Sequence, residues 1–180
     1  MKQKLFIAVA GLAALVGLFY LIPPTNLQQD QVEIIPDSEM KLPTKATIET
    51  TKGTIAVELY LDSAPKTVRN FADKVNSGFY DNLTFHRVED WVIQGGDPEG
   101  NGTGGGEIAT ELSDRPFQEG SLGVARGPNI NISNDAQFFI TKTEALWLNN
   151  QYTNFGRVTA GMDVVESIEV GDKIISITFG

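Results

Sequence analysis

The chain's single histidine, His86, stands beside Arg87 in the run Tyr80 to Pro98, which also carries Trp91, Gln94 and a Gly95-Gly96-Asp97-Pro98 turn. Leu83, Phe85 and Val88, then Val92 and Ile93, mark two short strand-forming runs around these polar groups. An arginine on a strand of a small barrel-like fold must pair with a carboxylate or face a groove. The first makes Arg87 a structural ion pair. The second makes it a fixed donor for a bound molecule, and function turns on that choice.

Other chemistries fit badly. A Ser-His-Asp triad would have to use His86, and no G-x-S-x-G elbow is present. His86, on a strand between Phe85 and Arg87, reads as a packed, hydrogen-bonded imidazole. One histidine and no cysteine leave zinc without ligands, and no metal is expected. Asn129, Asn131, Ser133 and Asp135 alternate oxygen side chains in a loop, a spacing open to calcium but read more simply as turn formers. Gly100 to Gly106 is glycine-rich, yet no lysine follows and no βαβ pattern surrounds it, so tight backbone packing is the better reading.

The elements that must position these residues follow from periodicity. Ile48, then Ile55, Val57, Leu59 and Leu61, alternate with polar residues around Lys52-Gly53, the pattern of a β-hairpin. Pro65 suits a helix first turn; Val68, Phe71, Ala72 and Val75 follow at helical spacing, and Gly78 ends the helix. Short strands separated by Gly, Asn, Asp and Pro come next. Short helices are expected near Thr143 to Leu148 and Met162 to Ile168, then a last strand from Ile174 to Phe179. The pattern is mainly β and suggests a closed antiparallel barrel.

The 180 residues favour one folded domain, placed at 45–180. A net charge of −9 without basic clusters excludes a nucleic-acid partner. Lys2 and Lys4 precede an uncharged apolar run, Leu5 to Ile22, whose 18 residues would span ~27 Å as a helix, close to the ~30 Å hydrocarbon core. Residues 1–22 therefore read as a transmembrane anchor or signal segment. An uncleaved anchor is preferred, because Tyr20-Leu21-Ile22-Pro23-Pro24 is a poor cleavage site. The two lysines place the N-terminus inside and the remainder outside the cytoplasm, in the periplasm, at the cell surface or, if the segment is cleaved, secreted. Four prolines between Pro23 and Thr44 mark 23–44 as a linker with a reach of ~75 Å, and Val32 to Ile35 adds at most a short strand.

The run YDNLTFHRV…VIQGGDP closely resembles the cyclophilins, peptidyl-prolyl cis/trans isomerases. Ala64 to Phe71 is similar to the family's first helix, Gly102 to Gly105 to its glycine loop, Leu122 to Arg126 and Gln137 to Ile140 to its central groove. Trp147-Leu148 and Phe155 to Val158 are similar to the segment that closes it. Six motifs in order, from about Ala46 to Phe179, make the resemblance specific. It implies an eight-stranded antiparallel barrel capped by two α-helices, no cofactor, a monomer, proline-containing polypeptides as partners and cyclosporin-type inhibitors. It implies Arg87 and Gln94 as catalytic, and a groove of Trp91, Val92, Phe139, Leu148, Ala125, Arg126, Gln137, Gly102, Trp147 and Tyr152. Trp91 would floor the proline pocket, Ala125 and Arg126 would offer backbone groups to the residue before proline, and Trp147 would form the rim. The chain departs from the family in a shorter Arg87 to Trp91 segment, in Trp91 for the usual phenylalanine, in Tyr152 where many members have histidine, and in its own Gly127 to Ala136 loop.

Such an enzyme would be a membrane-tethered, extracytoplasmic member of bacterial type that assists protein folding. The X-Pro amide is held planar by a barrier of ~18–20 kcal/mol. A guanidinium aimed at the prolyl nitrogen favours the twisted amide over either planar state. The alternative is a proline-peptide binding module with weak or no catalysis, which would tolerate loss of Arg87 and Gln94. A carbohydrate-binding or adhesive β-domain would need a row of exposed aromatics, for which only Trp91 and Trp147 are candidates.

Overall fold

In a computed structural model of the chain, residues 42–180 are described. The apolar run 5–22, the strand considered at Val32 to Ile35 and nearly all of the 23–44 linker lie outside the described residues. Among the described residues no helix is long and apolar enough to cross a membrane.

The chain opens with the expected hairpin, β1 (Lys45–Thr50) and β2 (Gly53–Leu59), paired from Lys45↔Glu58 to Thr50↔Gly53. Helix α1 (Pro65–Asn76) follows, and Val68, Phe71, Ala72 and Val75 form its buried stripe. Ala64 at its N-cap offers no side-chain hydrogen bond. Glu111, far along the chain, supplies the cap: its carboxylate accepts from the Lys66 N–H at 3.1 Å, the Thr67 N–H at 2.8 Å and the Thr67 hydroxyl at 2.8 Å. A carboxylate there satisfies orphan N–H groups and complements the helix dipole.

Strands β3 (Arg87–Glu89), β4 (Val92–Gly95), β5 (Glu107–Ala109), β6 (Ser121–Val124), β7 (Ile132–Asn134) and β8 (Phe138–Thr141) come next. A 3₁₀ turn (Leu146–Leu148), β9 (Asn154–Ala160), helix α2 (Met162–Ser167) and β10 (Ile174–Phe179) complete the fold. Eight strands form one curled antiparallel sheet in the order β10-β1-β2-β9-β6-β8-β4-β3, while β5 and β7 pair separately. The expected closure takes a looser form than a ladder, because β3 and β10 do not pair. The segment before β3 instead meets the start of β10 and the residues leading into it, through the Thr84–Lys173 bridge and the bonds Phe85 N–H to Asp172 C=O at 2.9 Å and Ile174 N–H to Leu83 C=O at 2.8 Å.

The pleat sorts each strand into two faces. Ile93 of β4, Leu122 and Val124 of β6, and Phe138 and Ile140 of β8 enter the main core with Ile48, Ile55, Phe71 and Phe155. Their neighbours Val92 and Phe139 point the other way, into a second, smaller cluster with Phe117, Ala145 and Leu148. The outer face of β3-β4-β8-β6 thus has its own apolar foundation, separate from the barrel core.

Candidate active site

One cross-strand row carries the site. Arg87 of β3 faces Gln94 of β4, Gln94 faces Phe139 of β8, and Phe139 faces Gly123 of β6. Side chains opposite each other on one face lie ~5 Å apart, so four strands deliver four groups to one line. The last position must be glycine: a Cβ on Gly123 would fall within the Phe139 ring. The ring therefore lies over the β6 backbone, stacked on Phe117 at 5.8 Å between centroids and edge-on to Tyr152 at 5.9 Å.

A directional hydrogen-bond relay holds the polar end of the row. Arg87 Nη1 donates to Gln94 Oε1 at 3.1 Å, and Gln94 Nε2 donates to Gln137 Oε1 at 2.9 Å. Gln137 Nε2 then donates to the Gly104 carbonyl at 2.8 Å. Each amide has its acceptor toward Arg87 and its donor away from it, which fixes both orientations. Nη2 of Arg87 has no hydrogen-bond partner among the described residues.

Arg87 combines the two roles that the sequence set against each other. It lines a groove of about 500 Å³. It also pairs with a carboxylate: Nε donates to Glu89 Oε1 at 2.7 Å, while the other oxygen of Glu89 accepts from Trp91 Nε1 at 2.9 Å. Glu89 thereby ties guanidinium and indole together, with Arg87 Cζ 5.3 Å from the Trp91 ring centre. The Arg87 hydrogen bond is the main cause that holds the Glu89 carboxyl below its usual range. Sequence reasoning missed this clamp. Its signal was present, since positions 87 and 89 of one strand share a face.

Trp91, Gln94, Ala125, Arg126, Phe139, Trp147, Leu148 and Tyr152 join Arg87 along the groove. Trp147 stands exposed at the rim, its ring 5.4 Å from that of Trp91. Three of the expected residues lie elsewhere. Val92 is fully buried beneath the groove, because it faces Thr141 in the next row of the pleat. Gln137 is 3% exposed and acts through Gln94. Gly102 sits in the turn beyond, donating its N–H to Asp97 and passing over His86, where a Cβ would lie 3.8 Å from Nε2. Two residues were not foreseen: Gln151, on the groove wall, and Phe117, stacked beneath Phe139. Both are in irregular segments with no periodicity to reveal them.

His86 departs from the hydrogen-bonded imidazole expected of it. Nδ1 is buried without a partner, and burial is the main cause lowering the pKa of the ring, against the Asp97 carboxylate that raises it. Burial also pushes the Asp97 carboxyl up, but the N–H groups of Glu99, Gly102 and Asn101 together outweigh it and leave the pKa lowered.

Residues 45–175 match the family model for cyclophilin type peptidyl-prolyl cis-trans isomerase/CLD. The chain belongs to the cyclophilin family. Its cyclophilin domain is 44% identical over 153 residues to peptidyl-prolyl cis-trans isomerase cyp15 of Rhizopus delemar, across 79% of this chain and 24% of that protein. It is also 44% identical over 131 residues to peptidyl-prolyl cis-trans isomerase-like 1 of Neurospora crassa, across 68% of this chain and 78% of the relative. The chain spans about a quarter of the length of the Rhizopus delemar protein and of isomerase 9 of Schizosaccharomyces pombe, 24% and 25%. Among solved structures, a cyclophilin type isomerase of Cryptosporidium parvum, crystallised in the presence of the dipeptide Ala-Pro, superposes with a TM-score of 0.71 at 28% identity, covering 76% of this chain and 98% of that one. Cyclophilin AquaCyp293 of Hirschia baltica, at 20% identity and a TM-score of 0.66, shares the fold.

Proposed function

We propose that the domain catalyses cis/trans rotation about X-Pro bonds in unfolded or flexible chains, with Arg87 and Gln94 as its catalytic pair. The observation that carries this reading is the row Arg87–Gln94–Phe139–Gly123, which sets a fixed guanidinium beside an aromatic floor. A proline ring seated on Phe139 and Leu148 would present its nitrogen to Arg87. On twisting, that nitrogen becomes pyramidal and gains a lone pair, which a guanidinium N–H meets better than it meets the planar amide. Gln94 holds Arg87 in place and would donate to the substrate carbonyl. A ten-thousand-fold acceleration needs about 5.5 kcal/mol of such preference. Trp91, expected at the pocket floor, is instead tied to Glu89 and packed on Trp147, so the two tryptophans would close the rim, where a cyclosporin-type peptide would also lie.

The Arg87–Glu89 pair favours a second reading. A carboxylate 2.7 Å from Nε offsets part of the positive charge, as suits a proline-peptide binding module with little catalysis. Exchange NMR on Ala-Pro-Phe with the full chain in detergent separates the two. Cis/trans exchange that speeds up with the wild type and is largely lost in Arg87→Ala supports the isomerase. Shifted peptide resonances without faster exchange support the binding module.

The apolar run from Leu5 to Ile22 supports a membrane tether, with a monomeric domain working on folding chains outside the cytoplasm. Protease treatment of spheroplasts tests it: loss of the domain supports that placement, and protection until the inner membrane is lysed overturns it.

A further inference from the structure

We infer that the groove selects proline peptides bearing a carboxylate side chain next to the proline, and that Arg126 is the residue that reads it. This inference rests on the proposed isomerase reading and names its substrate class.

Arg126 stands two residues past the end of β6 and lines the groove with Arg87. Its guanidinium is held by neutral acceptors alone. Nε donates to the Gln151 carbonyl at 2.7 Å and Nη1 to the Gly127 carbonyl at 2.8 Å. The Tyr152 ring supports it from 4.4 Å. Nη2 reaches Gln151 Oε1 only at 3.5 Å, the far limit of a hydrogen bond. No carboxylate pairs with Arg126 among the described residues. Arg87, Arg115 and Arg157, by contrast, each donate to one at 2.7–2.9 Å.

The contrast has chemical content. An arginine immobilised by carbonyls has already lost its rotamer freedom while keeping its whole charge. It presents Nη2, and the second hydrogen of Nη1, to whatever enters the groove. A carboxylate is the partner that its planar fork fits. The acidity of the whole protein, −9, opposes an acidic ligand at long range. That charge is spread, and salt screens it beyond ~10 Å at 0.1 M, whereas a contact pair survives. The local pair therefore decides. For a half-exposed guanidinium the preference should be roughly three- to tenfold.

The test compares Ala-Glu-Pro-Phe, Ala-Gln-Pro-Phe and Ala-Lys-Pro-Phe with the full chain in detergent. Exchange NMR gives kcat/KM, and chemical-shift titration of the same samples gives Kd. We expect Glu over Gln by roughly three- to tenfold, with Lys last. In Arg126→Gln the Glu-to-Gln ratio should fall to about one, and Arg126→Lys should restore part of it. A wild-type ratio of one or less, or a ratio unchanged in Arg126→Gln, overturns the inference. If no peptide is turned over, the isomerase reading fails by itself, and the Kd ratio still decides the role of Arg126. A Lys peptide favoured over Gln means that the overall acidity governs, and this too overturns it.

Discussion

The groove built on the four-strand row carries two arginines that are held in different ways. On the β3 side, Arg87 is locked by a carboxylate, Glu89, and by an amide, Gln94. Beyond β6, Arg126 is locked by two carbonyls and an aromatic face. A carboxylate partner aims a guanidinium and subtracts from its field; carbonyl partners aim it and leave the field whole. The first suits a group that must point at one atom in a twisting amide. The second suits a group that must attract a charge. On the proposed reading, the groove separates a directional arginine from an electrostatic one.

The largest test of that division is Arg87→Ala. Loss of a preorganised charged donor should lower kcat/KM by roughly 100- to 1,000-fold. Arg87 is partly exposed, so the melting temperature should barely move. Equal losses of activity and stability would show that Arg87 is structural.

Gly123→Ala strikes the floor between the two arginines. Its Cβ must displace the Phe139 ring, and overpacking of this kind costs about 1–3 kcal/mol. Urea unfolding should show that loss, and KM should rise about tenfold as the proline seat is distorted. Unchanged KM would mean that proline does not bind on Phe139.

Glu89→Gln sharpens the comparison, since it restores charge to Arg87 while loosening its aim. A roughly three- to tenfold fall in kcat with a shifted Trp91 emission would show that aim matters more; a rise would show that charge does. The Arg87 hydrogen bond holds the Glu89 carboxyl below its ordinary value of 4.5. The clamp should therefore stay intact, and the wild-type rate flat, from neutral pH down to about pH 5.

The smallest effect belongs to His86, outside both walls. Its folded pKa lies below the ordinary 6.5, chiefly through burial. The unfolded chain therefore takes up the proton first. The stability contribution is present above about pH 6.5 and is lost as pH falls through the lowered folded value. Thermal melts between about pH 8 and about pH 5 should slope downward, and His86→Gln should flatten that slope. An unaltered slope would assign it to other groups.

Much of the site was legible because strands sort side chains by parity. Once Val88 and Ile93 are placed inward, Arg87, Glu89, Val92 and Gln94 must point outward. Read strictly, the same parity exposes the Glu89 clamp. Val92 shows where parity stops: it gives the face of the sheet but not the row along the strand, and Val92 falls one row from the groove beneath other side chains.

The sequence by itself determined the local elements: the hairpin at Lys52-Gly53, the helix from Pro65, the alternation of β4 and β8, and the family motifs that follow them in order. These depend on neighbours a few residues away, which periodicity and turn chemistry record. The tertiary structure alone decided the register that lines Arg87, Gln94, Phe139 and Gly123 across four strands. It also decided the cap that Glu111 lends to α1, the Phe117 ring beneath the pocket and the uncompensated charge of Arg126. Each of these joins residues on separate elements, and such pairings are fixed only when the sheet curls and its outer face finds its own small core.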